Sequence, residues 1–445
     1  MTSTPALQPV TDGWPAPTPG RPVTGVARVP GSKSLTNRYL VLAALADGPS
    51  LLRAPLHSRD SALMVTALRS LGATITEVPG SGPFGPDLQV EPLPADASGD
   101  TAVDCGLAGT VMRFVPPLAA LRSGTAAFDG DPHARQRPMG ATIEALRGLG
   151  IEVNDGGRGA LPFSVTGRGG VPGGRLEIDA GASSQFVSAL LLAGARFQAG
   201  LHLVHTGETV PSLDHIAMTV QVLRRCGVSV DDSVPNEWHV EPGPIRAFDV
   251  DIEPDLSNAG PFLAAAVATG GSVSIPGWPA ETTQVGDKWR QILPQMGATA
   301  ELSGGILTVT GNGTIHGGVF ADTSELAPTV AALCALADSP SVLTGIAHLR
   351  GHETDRLAAL KTEINRLGGS VTETADGLKI DPAPLHGGVF GTYADHRMAT
   401  AGAIIGLAVP GVIVEDIAAT SKTMPEFARL WSSLVTGTAT AAEEG

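Results

Sequence analysis

The sequence has few aromatic residues, few lysines and few cysteines, and each shortage limits what the protein can be. Phe, Trp and Tyr make up 4% of the 445 residues, so the core must consist mainly of Ala, Val and Leu. Five lysines and a net charge of −15 argue against a nucleic-acid or anionic-membrane partner. The three cysteines lie far apart in apolar contexts, which excludes a cysteine-ligated metal site and predicts buried thiols in a reducing cytoplasm.

Long apolar runs are also missing. No uninterrupted apolar stretch reaches the roughly 18 residues that a membrane helix needs. The sequence begins without a basic region followed by an apolar run, so we expect no signal peptide and a soluble, cytoplasmic protein. Five prolines within residues 1–20 predict a disordered tail, and the composition of residues 437–445 predicts a second one.

An internal repeat organises the middle of the chain. A helical pattern ends five times in apolar-x-x-apolar-Gly before a strand pattern, at Gly72, Gly150, Gly227, Gly297 and Gly368. A glycine C-cap explains each helix end, but only a repeat explains the nearly constant spacing of these glycines, 78, 77, 70 and 71 residues.

A second helix, rich in Ala, Leu and Val, recurs in phase with this pattern and is expected to be buried on all sides. The six such helices begin near Ser34, Gly109, Ser183, Ser257, Ser324 and Asp395. Six α/β units exceed one core, so we predict two domains of three units each. Residues 33–249 are predicted to form one domain, and residues 21–32 with 250–436 the other. The segment Pro22–Arg28 is expected to supply the strand that the sixth unit lacks.

Cations and hydroxyl groups collect where the buried helices begin. The stretch Pro30–Arg38 places Lys33 and Arg38 at the start of the first of them. N-capping explains Ser, Thr, Asp and Asn at such positions, but the helix dipole disfavours the arginines found there, Arg38, Arg113 and Arg397. Oxyanion binding is the simplest reason for them, so we expect anionic ligands in a positive cleft between two domains that close.

Seven motifs that occur in order carry a resemblance to a known family. They are Pro30-Gly-Ser-Lys-Ser-Leu-Thr-Asn-Arg38, Ala108-Gly-Thr-Val-Met-Arg113, Arg137-Pro138, Ser183-Ser-Gln185, Glu353-Thr-Asp-Arg356, Asp395-His-Arg397 and Ser421-Lys-Thr423. From Pro22 to Leu434 the chain resembles the 5-enolpyruvylshikimate-3-phosphate (EPSP) synthase family. The resemblance implies an α/β fold, a two-domain inverse α/β barrel in which each domain has three βαβαββ repeats.

The resemblance also implies an activity, that of a transferase in the shikimate pathway of aromatic amino acid biosynthesis. Such an enzyme transfers the enolpyruvyl group of phosphoenolpyruvate to the 5-hydroxyl of shikimate 3-phosphate by addition–elimination and releases phosphate. No cofactor and no metal are implied, and a monomer is expected. The two substrates carry two phosphates and two carboxylates, which suits the clustered cations. Relatives are targets of the herbicide glyphosate, and Gly109 keeps the small residue at that pocket.

The matching positions give each candidate residue an implied role. For shikimate 3-phosphate these residues are Lys33, Ser34, Arg38, Ser183, Ser184, Gln185, Ser212, Asp322, His348 and His352. For phosphoenolpyruvate they are Lys33, Gly109, Arg137, Gln185, Arg356, Arg397 and Lys422. Asp322 is implied as the base on the 5-hydroxyl, Glu353 as the proton donor to C3, and Lys33 as a third catalytic residue. The residues alone leave other roles open, because Asp322 could cap a helix and Glu353 could pair with Arg356 on the surface.

The chain departs from the family's pattern at several positions. Leu107 and Phe114 stand where many relatives have Asn and Pro, so Leu107 cannot make an amide contact. His352 replaces a Lys, which makes the charge at this position depend on pH. Two further exchanges are His348 for an amide and His215 for a tyrosine.

Other functions share parts of this pattern. UDP-N-acetylglucosamine enolpyruvyl transferase has the same fold and uses phosphoenolpyruvate, but it typically has Lys-Asn where this chain has Lys33-Ser34. It also usually has a loop cysteine, which residues 129–138 lack. A non-catalytic anion-binding module would need the cations but neither Asp322 nor Glu353. A nucleotide phosphotransferase is less favoured, because Gly31-Ser-Lys-Ser lacks the upstream glycine of a Walker A loop.

Overall fold

The described part of the chain is a mixture of α-helices and β-strands, with up to three strands between successive helices. The structure is a computed structural model that describes residues 13–437. Its α-helices are α1 (Lys33–Leu45), α2 (Arg59–Leu71), α3 (Gly109–Ala119), α4 (Gly140–Gly148), α5 (Ser184–Gly194), α6 (Leu213–Arg225), α7 (Leu256–Thr269), α8 (Trp289–Gln295), α9 (Ala327–Ala335), α10 (Arg356–Arg366), α11 (His396–Gly406) and α12 (Phe427–Thr436). Short 3₁₀ helices lie at Ala134–Gln136, Val285–Lys288, Ser324–Leu326, Ala347–Gly351 and Ile417–Lys422.

The β-strands within residues 13–437 have two to nine residues each. They are β1 (Trp14–Pro15), β2 (Thr24–Val26), β3 (Ser50–Arg53), β4 (Thr74–Gly82), β5 (Gly85–Glu91), β6 (Thr101–Asp104), β7 (Ser123–Asp129), β8 (Glu152–Asn154), β9 (Phe163–Arg168), β10 (Gly174–Ile178), β11 (Leu201–His205), β12 (Val230–Asp231), β13 (Glu237–Val240), β14 (Asp249–Asp251), β15 (Ser272–Pro276), β16 (Thr299–Ser303), β17 (Ile306–Thr310), β18 (Val319–Ala321), β19 (Ser341–Thr344), β20 (Ser370–Glu373), β21 (Leu378–Asp381), β22 (Gly388–Phe390) and β23 (Val412–Val414).

Five four-stranded sheets share one topology. Their strand orders are β14-β3-β5-β4, β6-β7-β9-β8, β10-β11-β13-β12, β2-β15-β17-β16 and β18-β19-β21-β20. In each sheet the second strand in this order follows a buried helix and pairs in parallel with the first strand, as β10 does with β11. The remaining two strands form an antiparallel hairpin beside it, as β12 and β13 do. The sequence predicts six repeats, and this part of the chain forms six sheets when the one described next is included.

The sixth sheet corrects two predictions. It has the order β1-β23-β22, so one of its edge strands is Trp14–Pro15, which lies in the predicted disordered tail. The proline content of residues 1–20 did not exclude a strand here, because an edge strand tolerates a proline without an N–H group. The segment Pro22–Arg28 does not complete the sixth unit, since its strand β2 pairs in parallel with β15 of the fourth. Residues 1–12 and 438–445 of the predicted tails lie outside the described residues.

The glycines of the repeat have the conformation that a C-cap requires. Their φ angles are 117° at Gly72, 79° at Gly150, 84° at Gly227, 94° at Gly297 and 92° at Gly368. A residue with a Cβ is strained in this left-handed region, whereas glycine is not. The prediction of five glycine-capped helix ends is confirmed.

The chain divides into two units. Unit A comprises Val29–Leu256 and Pro279–Asp287, and unit B comprises Ser257–Trp278 with the described parts of Met1–Arg28 and Lys288–Gly445. Each unit contains three of the six sheets. The sequence did not predict that the segment Pro279–Asp287 belongs to unit A. The side chains of Thr282 and Gln284 in this segment donate to Glu253 Oε2 at 2.7 and 2.9 Å.

Small aliphatic residues fill the interior, as the scarcity of aromatics predicts. Helix α1 is buried from Leu35 to Leu45 and α11 along its whole length. Burying one such Leu or Val side chain contributes about 1.5–3 kcal/mol. The three cysteines are unpaired and buried, and burial raises the pKa of Cys226 and Cys334 to about 12. The prediction of buried thiols is confirmed, and among the described helices none has the length and hydropathy to span a membrane.

Candidate active site

Polar side chains in unit A cross-link the starts of the three buried helices α1, α3 and α5. Asn37 Nδ2 on α1 donates to Thr110 Oγ1 on α3 at 2.8 Å. Arg113 Nη1 on α3 donates to Gln185 Oε1 on α5 at 2.9 Å. Within unit A the structure therefore brings these polar helix ends together, as the sequence predicts.

Arg38 is buried at this end of the unit, and its guanidinium group is bonded to the protein. Nε donates to Thr219 Oγ1 at 2.8 Å, Nη1 to the carbonyl of Ser34 at 3.0 Å, and Nη2 to the carbonyl of His215 at 3.0 Å. Cζ lies 5.4 Å from the centre of the Phe114 ring, a cation–π contact that a proline could not make. Arg38 therefore ties α1 to α6 in this structure, and its role in substrate binding stays a prediction.

Lys33 is the first residue of α1 and keeps 21% of its side chain exposed. Its backbone N–H donates to Asp255 Oδ2 at 3.1 Å, while Ser32 caps the helix by accepting from Leu35 N. Its Nζ lies 3.6 Å from Oδ2 of the buried Asp60. The buried carboxylate holds the ammonium group at the helix start, where the helix dipole also favours an anion.

Two guanidinium groups flank Gly109. A Cβ at this position would lie 2.9 Å from Arg113 Nη1 and 2.9 Å from Arg137 Nη1, a space that only glycine leaves free. Arg137 Nη1 donates to the Leu107 carbonyl at 3.3 Å. Burial, and then the charge of Arg137, lower the pKa of Arg113 well below its usual range. A bound phosphate or carboxylate would relieve the repulsion between these two cations, so this pair is suited to an anion.

The remaining predicted residues of unit A lie at the starts of α5 and α6. Ser183 caps α5 by accepting from Gln185 N at 3.2 Å, and Ser184 is the buried first residue of that helix. Ser212 precedes α6 with a left-handed φ of 53° and does not cap the helix with its side chain. Hydroxyls beside the free N–H groups of a helix start are suited to a phosphate.

Unit B contains a buried network around Glu353. Lys422 Nζ lies 2.7 Å from Glu353 Oε1, and His396 Nδ1 lies 3.0 Å from Glu353 Oε2. The side chains of Glu353 and Lys422 are each 9% exposed. Since an ionised carboxylate only accepts hydrogen bonds, Nδ1 of His396 carries the proton of that contact.

A second buried ion pair adjoins this network. Arg356, the first residue of α10, donates Nε to Asp395 Oδ2 at 2.8 Å and Nη2 to Asp395 Oδ1 at 3.1 Å. Asp395 in turn caps α11 by accepting from Arg397 N at 2.8 Å. Burial opposes ionisation of the guanidinium group, but the charges of Asp395 and Glu353 raise the pKa of Arg356. Arg356 is thus paired with the buried Asp395 rather than with Glu353 on the surface.

The ionisation of Glu353 bears on its predicted role as a proton donor. Burial alone would raise the pKa of its carboxyl group, but the charges of Lys422 and His396 hold that pKa well below its usual range. In this arrangement Glu353 is a carboxylate, and the nearest proton is on Lys422. Glu353 can donate a proton only after the cations around it are neutralised.

Asp322 lies between β18 and the 3₁₀ turn that precedes α9. It is exposed and has a left-handed φ of 50°, which is uncommon for a residue other than glycine. A Cβ on Gly345 would lie 2.2 Å from Asp322 Oδ1, so the carboxylate occupies space that Gly345 leaves free. Within the described residues no hydrogen bond or ion pair engages the carboxylate, and Thr323 rather than Asp322 is at the N-cap position. The group is therefore available to act as a base.

The starts of the buried helices of unit B are also connected. Arg397 Nη1 at the start of α11 donates to the Ser257 carbonyl of α7 at 3.0 Å. Ser257 Oγ donates to Glu325 Oε1, beside α9, at 3.1 Å. His348 and His352 precede α10 in the chain, and their ring centres are 5.7 Å apart. His352 Nδ1 is 3.3 Å from Arg356 Nη1.

The predicted site residues are thus divided between the units. Unit A contains Lys33, Ser34, Arg38, Gly109, Arg137, Ser183, Ser184, Gln185 and Ser212, and unit B contains Asp322, His348, His352, Glu353, Arg356, Arg397 and Lys422. The sequence indicated no role for His396, although this residue lies within the motif Asp395-His-Arg397. The sequence also did not predict that Asp60 pairs with Lys33. Glu353, Asp395 and His396 also place three potential metal ligands within 4.8 Å of one another, but Lys422 and Arg356 already neutralise the carboxylates.

The buried His396 makes stability depend on pH. Burial lowers its pKa below the ordinary value of 6.5, so below pH 6.5 the unfolded chain binds a proton that the folded chain does not. The contribution of this group to the free energy of unfolding is therefore nearly complete at pH 7. It is lost as the pH falls through 6.5, by up to about 1 kcal/mol at pH 5.5. Urea unfolding at both pH values is expected to show a smaller loss for His396→Gln. A control substitution of the exposed His386 by Gln should keep the wild-type loss, and equal losses in all three proteins would contradict the assignment.

Known structures and sequences identify the fold and the family. An EPSP synthase from Acinetobacter baumannii matches with a TM-score of 0.75 and 25% identity, covering 94% of this chain and 98% of that one. The enolpyruvyl transferase NikO from Streptomyces tendae shares the fold, with a TM-score of 0.71 and 18% identity over 94% of this chain and 96% of that one. Both matches show that the chain has the α/β fold of these proteins.

The family follows from the sequence matches. The model of the family EPSP synthase (3-phosphoshikimate 1-carboxyvinyltransferase) matches residues 17–431. A 3-phosphoshikimate 1-carboxyvinyltransferase from Kocuria rhizophila is 64% identical over 431 residues, which are 95% of this chain and 97% of that protein. The chain belongs to the EPSP synthase family.

Proposed function

We propose that the chain is a 3-phosphoshikimate 1-carboxyvinyltransferase. It transfers the enolpyruvyl group of phosphoenolpyruvate to the 5-hydroxyl of shikimate 3-phosphate and releases phosphate, in the biosynthesis of aromatic amino acids. The match of the family model to residues 17–431 carries this proposal, supported by the 64% identity to a relative with that name. UDP-N-acetylglucosamine is less favoured as acceptor because neither match points to it.

The four anionic groups of the two substrates suit the cations of the two units. In unit A, the residues proposed to bind shikimate 3-phosphate are Lys33, Ser34, Arg38, Ser183, Ser184, Gln185 and Ser212. Those proposed to bind phosphoenolpyruvate are Lys33, Gly109, Arg137 and Gln185. In unit B, Arg356, Arg397 and Lys422 are proposed to bind phosphoenolpyruvate, and Asp322, His348 and His352 shikimate 3-phosphate. The two cations beside Gly109 support the first assignment, because a phosphate or carboxylate would relieve their repulsion.

The proposed chemistry needs one base and one acid. Asp322 accepts the proton of the 5-hydroxyl as the hydroxyl oxygen bonds to C2 of phosphoenolpyruvate, and Glu353, once protonated, donates a proton to C3, which gives a tetrahedral adduct. Return of a C3 proton to the Glu353 carboxylate and cleavage of the C2–O bond to the phosphate then release phosphate and leave the enolpyruvyl ether. For the first step, a substrate anion that pairs with Lys422 would weaken its hold on Glu353 and raise the pKa of that carboxyl.

We also propose the finer architecture and setting that the resemblance implies. The proposed architecture is a two-domain inverse α/β barrel, in which each domain consists of three βαβαββ repeats whose sheets surround three buried helices. The shared topology of five sheets supports it. Closure of two domains on the substrates stays a prediction. A monomer that needs no cofactor or metal stays a prediction, and the unpaired, buried cysteines support only the proposal that the protein acts in the cytoplasm.

Phosphate release from phosphoenolpyruvate tests the function directly. Purified protein is incubated with phosphoenolpyruvate and either shikimate 3-phosphate or UDP-N-acetylglucosamine, with a reaction without acceptor as control. We expect phosphate only with shikimate 3-phosphate, in a one-to-one ratio to the enolpyruvyl product. Release with UDP-N-acetylglucosamine alone would replace the proposal by the related transferase. Substrate binding without release in either reaction would leave an anion-binding module.

A further inference from the structure

The loop that leads into α11 has an unusual backbone. It connects β22 to the helix whose first residues contact the ion pairs of unit B. Tyr393 and Ala394 are consecutive residues with left-handed φ angles of 55° and 53°. Side chains with a Cβ rarely adopt this conformation, and it persists only where surrounding contacts hold it. Something must therefore hold this loop in place.

The buried carboxylate of Glu363 makes the contacts that hold it. Glu363 has no exposed surface, and its Oε2 accepts from the backbone N–H of Gly391 at 2.7 Å. Its Oε1 accepts from the phenol hydroxyl of Tyr393 at 2.6 Å. A Cβ on Gly391 would lie 3.0 Å from Oε1, so the carboxylate is closely packed against the loop. Burial and the bond to Glu363 raise the pKa of Tyr393 to about 12, so the hydroxyl remains a donor at neutral pH.

One helix secures the loop at both ends. Arg356 and Glu363 both belong to α10 and are seven residues apart, which places them on the same face two turns from each other. Arg356 binds Asp395 at the end of the loop, and Glu363 binds Gly391 and Tyr393 at its beginning. The third partner of Glu363 is Arg366, whose side chain is half exposed and does not contact the loop in any of these bonds.

We propose that Glu363 and Tyr393 are positioning residues for the transferase reaction. They fix the strained loop so that the residues at the start of α11, Asp395, His396 and Arg397, reach their partners on other elements. The inference rests on the proposed function, because that function assigns Arg397 and the Asp395-bonded Arg356 to the binding of phosphoenolpyruvate. A carboxylate that served only to satisfy Arg366 would not need the phenol hydroxyl of an exposed tyrosine or the N–H group of Gly391.

Steady-state kinetics with both substrates tests the proposal. Tyr393→Phe removes one hydroxyl, and we expect the KM for phosphoenolpyruvate to rise five- to tenfold while the KM for shikimate 3-phosphate stays within twofold. Arg366→Ala is the matched control, because it removes a donor to the same carboxylate without touching the loop; both KM values should stay within twofold. Glu363→Gln, which keeps an acceptor for the loop, should give a smaller change than Glu363→Ala.

Hydrogen exchange gives a second measurement that does not depend on turnover. In Tyr393→Phe we expect faster amide exchange confined to residues 391–397, and no such change in Arg366→Ala. If Tyr393→Phe matches Arg366→Ala in both measurements, the positioning role is wrong even though the enzyme is active. If the wild-type protein is inactive with both substrates, the proposed function itself has failed, and the exchange data still decide whether Tyr393 holds the loop.

Discussion

Asp322→Asn is expected to lower kcat by two to four orders of magnitude, the range that a positioned general base contributes. The wild-type carboxylate is exposed, has no hydrogen bond or ion pair within residues 13–437, and lies in a left-handed backbone conformation next to Gly345. Asparagine tolerates the same backbone conformation and has nearly the same size, so the variant removes the basic group and little else. Rapid-quench measurement of phosphate release at saturating substrates gives kcat.

The controls for Asp322 separate chemistry from binding and folding. Calorimetry should show that Asp322→Asn still binds shikimate 3-phosphate. Asp381→Asn, at the exposed end of β21, changes an aspartate elsewhere in unit B and should leave kcat unchanged. Asp322→Ala should lose as much turnover as Asp322→Asn. A variant at Asp322 that keeps more than a tenth of the wild-type kcat would remove this residue from the role of base.

Arg356→Ala is expected to reduce the free energy of unfolding by about 3–5 kcal/mol, the cost of leaving a buried charge unpaired. The substitution removes both bonds to Asp395, whose side chain has no exposed surface, and a cation that faces Glu353. Asp395 also caps α11, so its displacement would weaken the start of that helix. Urea unfolding followed by tryptophan fluorescence suits the measurement, because Trp278, Trp289 and Trp431 are fully buried in unit B.

An exposed ion pair provides the matched control for Arg356. Arg429 and Glu426 pair at 2.6 Å on α12 with about half of each side chain exposed. Arg429→Ala should change the free energy of unfolding by no more than about 1 kcal/mol, because surface pairs are weak. A loss of similar size in the two variants would show that the Arg356–Asp395 pair does not have the energetics of a buried pair.

Much of the fold could be predicted because it depends on local patterns. The five glycines that end the amphipathic helices all have the left-handed φ that a C-cap needs, and continuous runs of apolar residues located the buried helices. The start of α1 is capped by Ser32, one residue before the predicted cluster of Lys33 and Ser34. The prolines of the N-terminal segment misled the prediction, since Trp14–Pro15 forms an edge strand through contacts with a segment 400 residues away.

The sequence supplied candidate residues for the site, whose roles stay predictions, but it did not supply their bonding or ionisation. Arg38 was expected among the substrate contacts, yet its guanidinium group is bonded to residues of α6 and α1. Glu353 was expected to donate a proton, yet Lys422 and His396 keep it ionised. Both outcomes depend on which groups lie within a few ångströms after folding, and a motif does not contain that information.

The sequence by itself determined the repeat, the buried helices, the family and the types of residue that collect at the helix starts, because periodicity, glycine capping and ordered motifs are properties of neighbouring residues. Only the tertiary structure decided which segment completes each sheet, that Pro279–Asp287 belongs to unit A, and how α10 holds the loop before α11. Strand pairing and the pKa of a buried carboxyl are set by partners far away in the chain, since hydrogen bonds and charges act through space.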